Sequence, residues 1–432
     1  MRFLLRAPWG VLCAFACASF GVGPVLAQSA AAVVAPVDQS APEEIRRAIR
    51  ELWTLSPEVR VARAELEAAS ARARAAGQPL YNPELALSAE NADVDRRTVG
   101  LSLALDLSGK REARRAVGEA GVVAARAGYD QARRDIAVRW LKAWFAAGLA
   151  VRETELGRRR VELMQRFAEL AERRLKVGDI SITERDLAAL ALSEAQAQQA
   201  ALLGRAAGVQ AALVALGGPT DTPGSLVLRS LPAIVNGPPM PSEPLPEMRQ
   251  AQARVESADA GIRVAQRQRV PDPVIALTGG RVRTGPGAGM SQNVVGLNLT
   301  VPLPVRNSYR AEVDSARAEA DAALAGLDAQ RLASRARQRE SEQRYAALRD
   351  ASVAFSGSRA AAFDERAALL ERLWQAGEIG TSDYLVQLKQ SLDTALSGIA
   401  LENETWQAWI DHLSAAGRLI AWTGADDKDS SR

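Results

Sequence analysis

The sequence contains few of the residues that carry most enzymatic and metal chemistry. It has two cysteines, Cys13 and Cys17, and one histidine, His412, and aromatic residues make up only 5% of the chain. With no cysteine after Cys17, disulfides, thiolate catalysis and cysteine–metal sites are excluded from the rest of the chain. His412 lies beside Asp411 and Leu413 in a helical pattern, which indicates a structural role.

Catalytic and nucleotide-binding motifs are also missing. There is no HExxH, no GxSxG and no GxxxxGK[ST] pattern. The run Gly285–Gly289 superficially looks like a nucleotide loop, but it lies between two predicted strands and opens no helix. We therefore predict a hairpin loop there, and we predict no enzyme, no cofactor and no metal site.

The N-terminus has the features of a secretory signal over residues 1–27. Arg2 and Arg6 form a basic start, residues 11–20 form a short apolar core, and residues 25–27 place small side chains before a cleavage site at Gln28. The alternative is a lipoprotein site at Cys17, although the usual leucine three residues earlier is missing.

Long apolar runs are absent after residue 27, so the sequence predicts no transmembrane helix. A secreted chain can still enter a membrane through β-strands. Removing residues 1–27 leaves 52 basic and 51 acidic side chains, so the charge gives no reason to expect a nucleic-acid partner.

What the sequence does contain is a tandem duplication. Three segments of the first half return in the same order in the second half, at offsets that grow from 190 to 199 residues. The matched segments are Asn82–Ser88 with Asp272–Thr278, Val99–Leu103 with Val295–Leu299, and Val177–Ile180 with Ala376–Ile379.

The duplication predicts the organisation of the whole chain. We expect a flexible lead-in over 28–42, a first repeat over 43–216, a Gly/Pro-rich bridge over 217–246, a second repeat over 247–420 and a disordered tail over 421–432. Each repeat is predicted to contain a helix, two short strands, a very long helix, a tight turn and a return helix.

In the first repeat these elements are a helix from Pro42 to Gly77, strands over Asn82–Glu90 and Thr98–Leu107, and a long helix from about Lys110 to Val177. At about 1.5 Å per residue the long helix would span roughly 100 Å. Apolar residues recur every seven positions along it, as in coiled coils: Leu149, Leu156, Leu163, Leu170 and Val177.

The second repeat carries the same pattern 199 residues later, so we expect an equally long helix that ends at Gly377. The return helix of the first repeat is predicted over Thr183–Leu216. That of the second has its own seven-residue stripe: Leu385, Leu392, Ile399, Trp406 and Leu413.

Strict apolar alternation in Thr98–Leu107 predicts strands with one apolar face, of the length that crosses a membrane. Four strands cannot close a barrel, and open edges are not tolerated in hydrocarbon. Two chains would supply eight strands around a filled interior, and three would supply twelve around an open lumen. We expect a homotrimer.

With these features the chain resembles the TolC-like outer-membrane efflux proteins over about residues 43–420. The resemblance rests on the duplicated hairpins, the Gly-containing helix turns and the strand-to-helix junctions Leu107–Arg111 and Val301–Asn307. The second junction, with the Ala-rich stretch 311–323, is most similar to the heavy-metal, CzcC-like branch.

The resemblance implies a mainly α fold with membrane β-strands, in which a trimer forms a 12-stranded outer-membrane barrel above a long-helix α-barrel in the periplasm. It also implies passive export of metal cations or small toxic compounds, with a periplasmic adaptor, an inner-membrane pump of the RND type and outer-membrane lipid as partners. Two alternatives are the exit duct of a type I protein or peptide secretion system and a pore-less periplasmic coiled-coil scaffold.

Two places are candidates for functional sites. The first is the pair of tight turns after the long helices, where glycine ends each helix; the resemblance implies that adaptor helices dock there. The turn residues are Val177, Gly178, Asp179, Ile180, Ala376, Gly377, Glu378 and Ile379.

The second candidate is Asp383, close after the second turn. In the TolC-like proteins, acidic residues near this point form a ring at the narrow end of the duct. Three carboxylates around an axis would favour the passage of cations. The alternative is that Asp383, with Thr381 and Ser382, caps the return helix. The family's second acidic position is Val386 here, and Asp186 of the first repeat is not an exact match.

Overall fold

The computed structural model describes residues 40–91, 94–218, 231–232, 245–284, 290–357 and 363–424. The predicted signal and most of the lead-in, bridge and tail lie outside these ranges, as does the loop Gly285–Gly289. The chain is mostly helical with one four-stranded antiparallel sheet, as the mainly α prediction requires. No helix within these ranges has both the length and the apolarity to cross a bilayer.

The N-terminal helix is divided in two, whereas we predicted one helix from Pro42 to Gly77. Helix α1 covers Glu43–Leu55 and α2 covers Pro57–Ala76. Ser56, between them, has an extended conformation with ψ 124°. The reason is Pro57, because a proline ring disfavours helical geometry in the residue before it.

The four strands lie where the sequence predicted them, but their first and last residues differ from the predicted ones. They are β1, Glu84–Asn91; β2, Val94–Ala104; β3, Val274–Thr284; and β4, Ser291–Thr300. Residues 94–97, which we predicted as part of a polar loop, belong to β2 because their backbone pairs with β3. Cross-strand pairing here overrides the polar local sequence.

The sheet has the order β1-β2-β3-β4, so the two hairpins of the repeats join through β2 and β3. The register gives it two different faces, because successive side chains point to opposite sides. One row of the first face joins Leu85, Leu101, Leu277 and Leu297 across all four strands. These leucines are between 53% and 76% exposed. The other face carries mainly small and polar residues, including Ser102, Ala276 and Asn298.

The first long helix is confirmed. Helix α3 runs without interruption over Lys110–Lys176, and the return helix α4 covers Ile182–Ala215. Of the predicted stripe, Leu149 and Leu163 are buried, whereas Val177 at the end is 79% exposed.

The second long helix differs from the prediction. After α5, Pro246–Gln268, the structure has α6 over Arg310–Ser356 and α7 over Phe363–Gln375 instead of one helix. Helix α6 ends at Ser356, followed by Gly357 as its C-cap, in a Ser-Gly-Ser sequence of weak helix formers. The return helix α8 covers Thr381–Ala415, and α9, Leu419–Trp422, extends past residue 420, where we placed the end of the second repeat.

Two large apolar clusters hold the helices together, and a minor one, Ala265, Val313 and Ala316, joins α5 to α6. The larger one lies halfway along the bundle, where α1, α3, α6, α8 and α9 meet around Trp140, Trp406 and Trp409, and α2 and α4 add one buried residue each, Val59 and Leu213. The smaller one lies at the helix ends far from the sheet, and joins α3, α4, α7 and α8. Three residues of the predicted α8 stripe are buried: Leu392, Ile399 and Trp406.

A polar junction connects the sheet to the helices and links the two repeats. Asp272, just before β3, is 8% exposed; it accepts a hydrogen bond from the Tyr81 hydroxyl at 2.6 Å and pairs with Lys110 Nζ at 2.8 Å. The hydrogen bond to Asp272 raises the pKa of Tyr81 to about 12. Since Tyr81 and Lys110 belong to the first repeat and Asp272 to the second, this carboxylate connects the helix-side ends of the two hairpins.

The start of α3 is held by Asp106. Its two carboxylate oxygens accept hydrogen bonds from the backbone N–H groups of Lys110, at 3.0 Å, and Arg111, at 2.8 Å. Burial acts to raise the pKa of Asp106, but the backbone donors outweigh it and lower that pKa. A lowered pKa means that the ionised carboxylate stabilises the folded state.

We predict that Asp106→Ala lowers the free energy of unfolding by about 1 kcal/mol at neutral pH, the usual contribution of such a cap. Because the folded-state pKa is lowered, this contribution is complete above the ordinary carboxyl pKa. It is lost as the pH falls through the lowered value. Denaturant unfolding of variant and wild type at several pH values measures the difference. The control is Asp321→Ala, an exposed carboxylate on α6 without a described ion pair; an equal loss in both variants would contradict the capping role.

Candidate functional site at the helix ends

Both predicted turns have the same backbone geometry. Gly178 has φ 81° and Gly377 has φ 76°, in the left-handed region that glycine adopts without strain. After α3, the Gly178 N–H donates to the Leu175 carbonyl at 3.0 Å and the next N–H donates to Arg174 at 2.9 Å. The turn after α7 repeats this pattern with Trp374 and Leu373. Each is a Schellman motif, which satisfies carbonyls that the helix end leaves free.

The structure brings the two turns together through Arg174. Its guanidinium donates to the Gln375 carbonyl at 3.1 Å and stacks over the Trp374 ring at 4.7 Å. The same group lies 3.5 Å from the Asp179 carboxylate. One side chain of the first repeat therefore contacts the turn of its own repeat and the last turn of α7 in the other.

An aromatic cluster supports this contact from inside. Phe167 packs against Trp374 and Tyr384, with ring centroids 4.4 and 4.8 Å apart. The Trp374 indole N–H donates to the Thr381 hydroxyl at 3.3 Å. Burial raises the pKa of Tyr384, which keeps its ring neutral. These rings fix α7 and α8 against α3, so the turns are held on a rigid support.

The two return helices begin differently. At the start of α4, Ser181 and Glu184 form a capping box: the Ser181 hydroxyl accepts from the Glu184 N–H at 3.2 Å, and the Ser181 N–H donates to the Glu184 carboxylate at 2.9 Å. The hydrogen bond from the Ser181 backbone lowers the pKa of Glu184. Helix α8 instead begins at Gly380 with no side-chain cap.

Asp383 occupies the place in α8 that Glu184 occupies in α4, 199 residues earlier, so Glu184 rather than Asp186 is its counterpart. Its carboxylate is exposed and forms no hydrogen bond or ion pair with any described residue. The geometry therefore differs from the capping alternative. Asp383 starts a polar stripe on the exposed side of α8, opposite buried Tyr384, Leu388 and Leu392. The stripe continues through Gln387, Gln390, Asp393 and Ser397.

The eight predicted turn residues divide into two groups. Ile180 and Ile379 pack against the smaller apolar cluster and anchor the turns. The other six are exposed: Val177, Gly178, Asp179, Ala376, Gly377 and Glu378. Sequence reasoning missed Arg174, Phe167 and Trp374, because their roles depend on contacts between the repeats, and local sequence patterns do not indicate such contacts.

The described part of the chain offers no metal centre, since no three His, Cys, Asp or Glu side chains lie close enough together there to hold an ion. His412 is partly buried against Tyr345, with ring centroids 6.0 Å apart. Burial lowers the pKa of His412 and favours its neutral form. This position fits the structural role inferred from its place on an amphipathic helix.

Comparison with known proteins agrees with this architecture. Residues 48–218 and 243–418 match the outer membrane efflux protein family, so the chain belongs to that family. It is accordingly an outer-membrane component of an efflux system, a transport protein rather than an enzyme. The matched ranges cover most of both predicted repeats and omit residues 219–242, which are most of the predicted bridge.

The individual relatives share less than 30% sequence identity with this chain. The nickel-cobalt-cadmium resistance protein NccC of Alcaligenes xylosoxydans xylosoxydans is 27% identical over 310 residues, 69% of either chain. The cobalt-zinc-cadmium resistance protein CzcC of Cupriavidus metallidurans is 24% identical over 248 residues, which span 54% of this chain and 57% of that protein. The CmeC outer membrane channel of Campylobacter jejuni has the same fold, with TM-score 0.73 and 15% identity over 87% of this chain and 86% of that one.

We predict that Gly178→Val with Gly377→Val abolishes efflux while assemblies still reach the outer membrane. A β-branched residue is strained at positive φ, and the added Cβ atoms would meet no other atom at either site, so the damage stays within the turns. The matched control is asparagine at both positions, which tolerates this conformation better. Export assays and membrane fractionation measure the two outcomes; normal export by the double valine variant would refute a role for the turns.

Proposed function

We propose that this chain is the outer-membrane channel of a tripartite efflux pump and conducts metal cations or small toxic compounds out of the periplasm. The observation that carries the proposal is a small sheet with an exposed apolar face joined to helices of up to 67 residues. The sheet suits the bilayer, and the helices have the length to cross a wide aqueous space. The relatives NccC and CzcC, which are named for metal resistance, favour metal cations as cargo.

The proposed assembly is a trimer with twelve strands. Strands β1 and β4 are the two edges of the sheet, and their outer backbone groups find no partner strand among the described residues. Three copies would pair β4 of one chain with β1 of the next around an open lumen. The exposed apolar face argues against a water-soluble scaffold, because such a face is costly in water.

The helices support the same arrangement. Helix α4 packs mainly on α3, with smaller contacts to α8, and the single chain leaves apolar side chains on the rest of α4 exposed. The larger ones are Ile182, Leu187, Leu190, Leu203 and Val214. A neighbouring chain in a closed ring would cover this side, whereas the polar stripe of α8 suits a water-filled lumen.

We predict a heat-labile trimer in detergent extracts of the outer membrane. The edge strands require partners in hydrocarbon, and heat would separate them by unfolding the sheet. Mass measurement of the purified complex before and after heating checks this stoichiometry. A monomer that remains soluble without detergent would contradict it.

The exposed turn residues would form the docking site for the periplasmic adaptor, which in turn would connect the channel to an RND-type inner-membrane pump. Their support is rigid, and they present both an apolar side chain, Val177, and two carboxylates, Asp179 and Glu378. Rigid presentation lowers the entropic cost of binding. In this arrangement the pump selects the cargo and the channel conducts it.

Asp383 would line the periplasmic constriction. Threefold symmetry would place three such carboxylates around the axis, at the start of the polar stripe, where they would attract cations.

We predict that Asp383→Asn lowers the cation selectivity of single channels without changing the heat stability of the trimer. Reversal potentials in a salt gradient measure the selectivity. Asp186→Asn serves as a control, since it removes an exposed carboxylate near the other turn, although this one lies 3.3 Å from Arg185. Unchanged selectivity and conductance in Asp383→Asn would remove this residue from the pore.

A further inference from the structure

The sheet carries three arginines on its apolar face, near the hairpin ends. The register sets Arg97 of β2 directly opposite Arg281 of β3, and Asp95 opposite Arg283. Since side chains two residues apart share a face, these arginines lie on the same side as Leu101 and Leu277. We call Arg97, Arg281 and Arg283 the outer arginine row.

The charges in this row are not balanced. Arg97 lies 3.3 Å from Asp95, while Arg281 and Arg283 form no ion pair with any described residue. Like charges directly opposite each other on neighbouring strands are destabilising. On the other face the neighbouring Arg96 stands opposite a carboxylate, Glu90. The excess positive charge is therefore confined to the apolar face.

The row also lies at a defined height in the sheet. The last apolar level contains Leu87, Val99 and Val295. Arg97 precedes Val99 by two residues and so lies roughly 7 Å nearer the hairpin ends. At this height the apolar face ends, and a bilayer surrounding it would change from acyl chains to headgroups. The helices leave the sheet at its opposite end, so the row belongs to the membrane surface away from the helices.

We propose that the outer arginine row binds phosphate groups of an anionic lipid in the outer leaflet. Guanidinium groups bind phosphate through paired hydrogen bonds, and anionic headgroups would neutralise the repulsion between Arg97 and Arg281. The inference rests on the proposed membrane-spanning assembly and adds a specific lipid contact to it. The phosphate binds from the lipid side of the sheet, so the lumen is not involved.

The test uses the full-length assembly in mild detergent and two probes: lipid A carrying two phosphates, and the same lipid A with both phosphates removed. Native mass spectrometry measures how much of each lipid remains bound. We expect the wild type to prefer the phosphorylated form. Arg97→Gln with Arg281→Gln should weaken its binding roughly tenfold or more, since a basic residue near an anionic surface contributes about fivefold.

Two controls separate this contact from general charge effects. Arg96→Gln removes the same charge from the next residue on the opposite face, and binding should not change. Arg97→Lys with Arg281→Lys keeps the charge but not the paired hydrogen bonds, and should lose only part of the affinity. Equal binding of both lipid A forms to the wild type would overturn the proposal without any variant, and so would equal loss in Arg96→Gln.

Two further measurements complete the design. Millimolar inorganic phosphate should not displace the lipid; full displacement would identify a site for free phosphate and overturn the assignment to a lipid. Conductance in planar bilayers is recorded from the same preparation. Normal channels without lipid preference would reject this inference alone, whereas the absence of any channel would reject the proposed function.

Discussion

The free edges of the sheet are the constraint on which the rest of the structure depends. Strands β1 and β4 each present backbone N–H and C=O groups on one side, with no partner strand in the order β1-β2-β3-β4. In hydrocarbon an unsatisfied backbone group costs several kcal/mol, so an outer-membrane protein with this sheet must cover both edges. Because α2, α3, α5 and α6 all join the sheet at one end, the way the edges are covered also determines where the helices stand.

The two ends of the helical part are stabilised by different chemistry. At the sheet, a buried carboxylate, Asp272, joins Tyr81 and Lys110. At the far end, Arg174 and the rings of Phe167, Trp374 and Tyr384 connect α3 with α7 and α8. Both sets of contacts join residues of different repeats, so neither repeat can form them alone.

Much of this outline could be read from the sequence, because it depends on local rules. Glycine at positive φ ends α3 and α7, and alternation in β2 defines an apolar face. The two helix breaks differ in how clearly the sequence indicates them. Pro57 is a clear signal for the first, whereas Gly357, at the second, lies within a continuous helical pattern. Two features depend on segments that are distant in the sequence: the extension of β2 to Val94 and the contacts of Arg174. The spacing of residues in the sequence does not indicate where those segments lie.

The pairing of β2 with β3 has a consequence for how the channel would be built. This pairing joins two hairpins of one chain, whereas the proposed contact between β4 and β1 joins hairpins of different chains. A ring of six hairpins made from separate units would form in proportion to the sixth power of their concentration. With hairpins linked in pairs, the dependence falls to the third power, because the linker holds the second hairpin at a high local concentration. The duplication thus favours ring closure over random edge pairing when few copies are present.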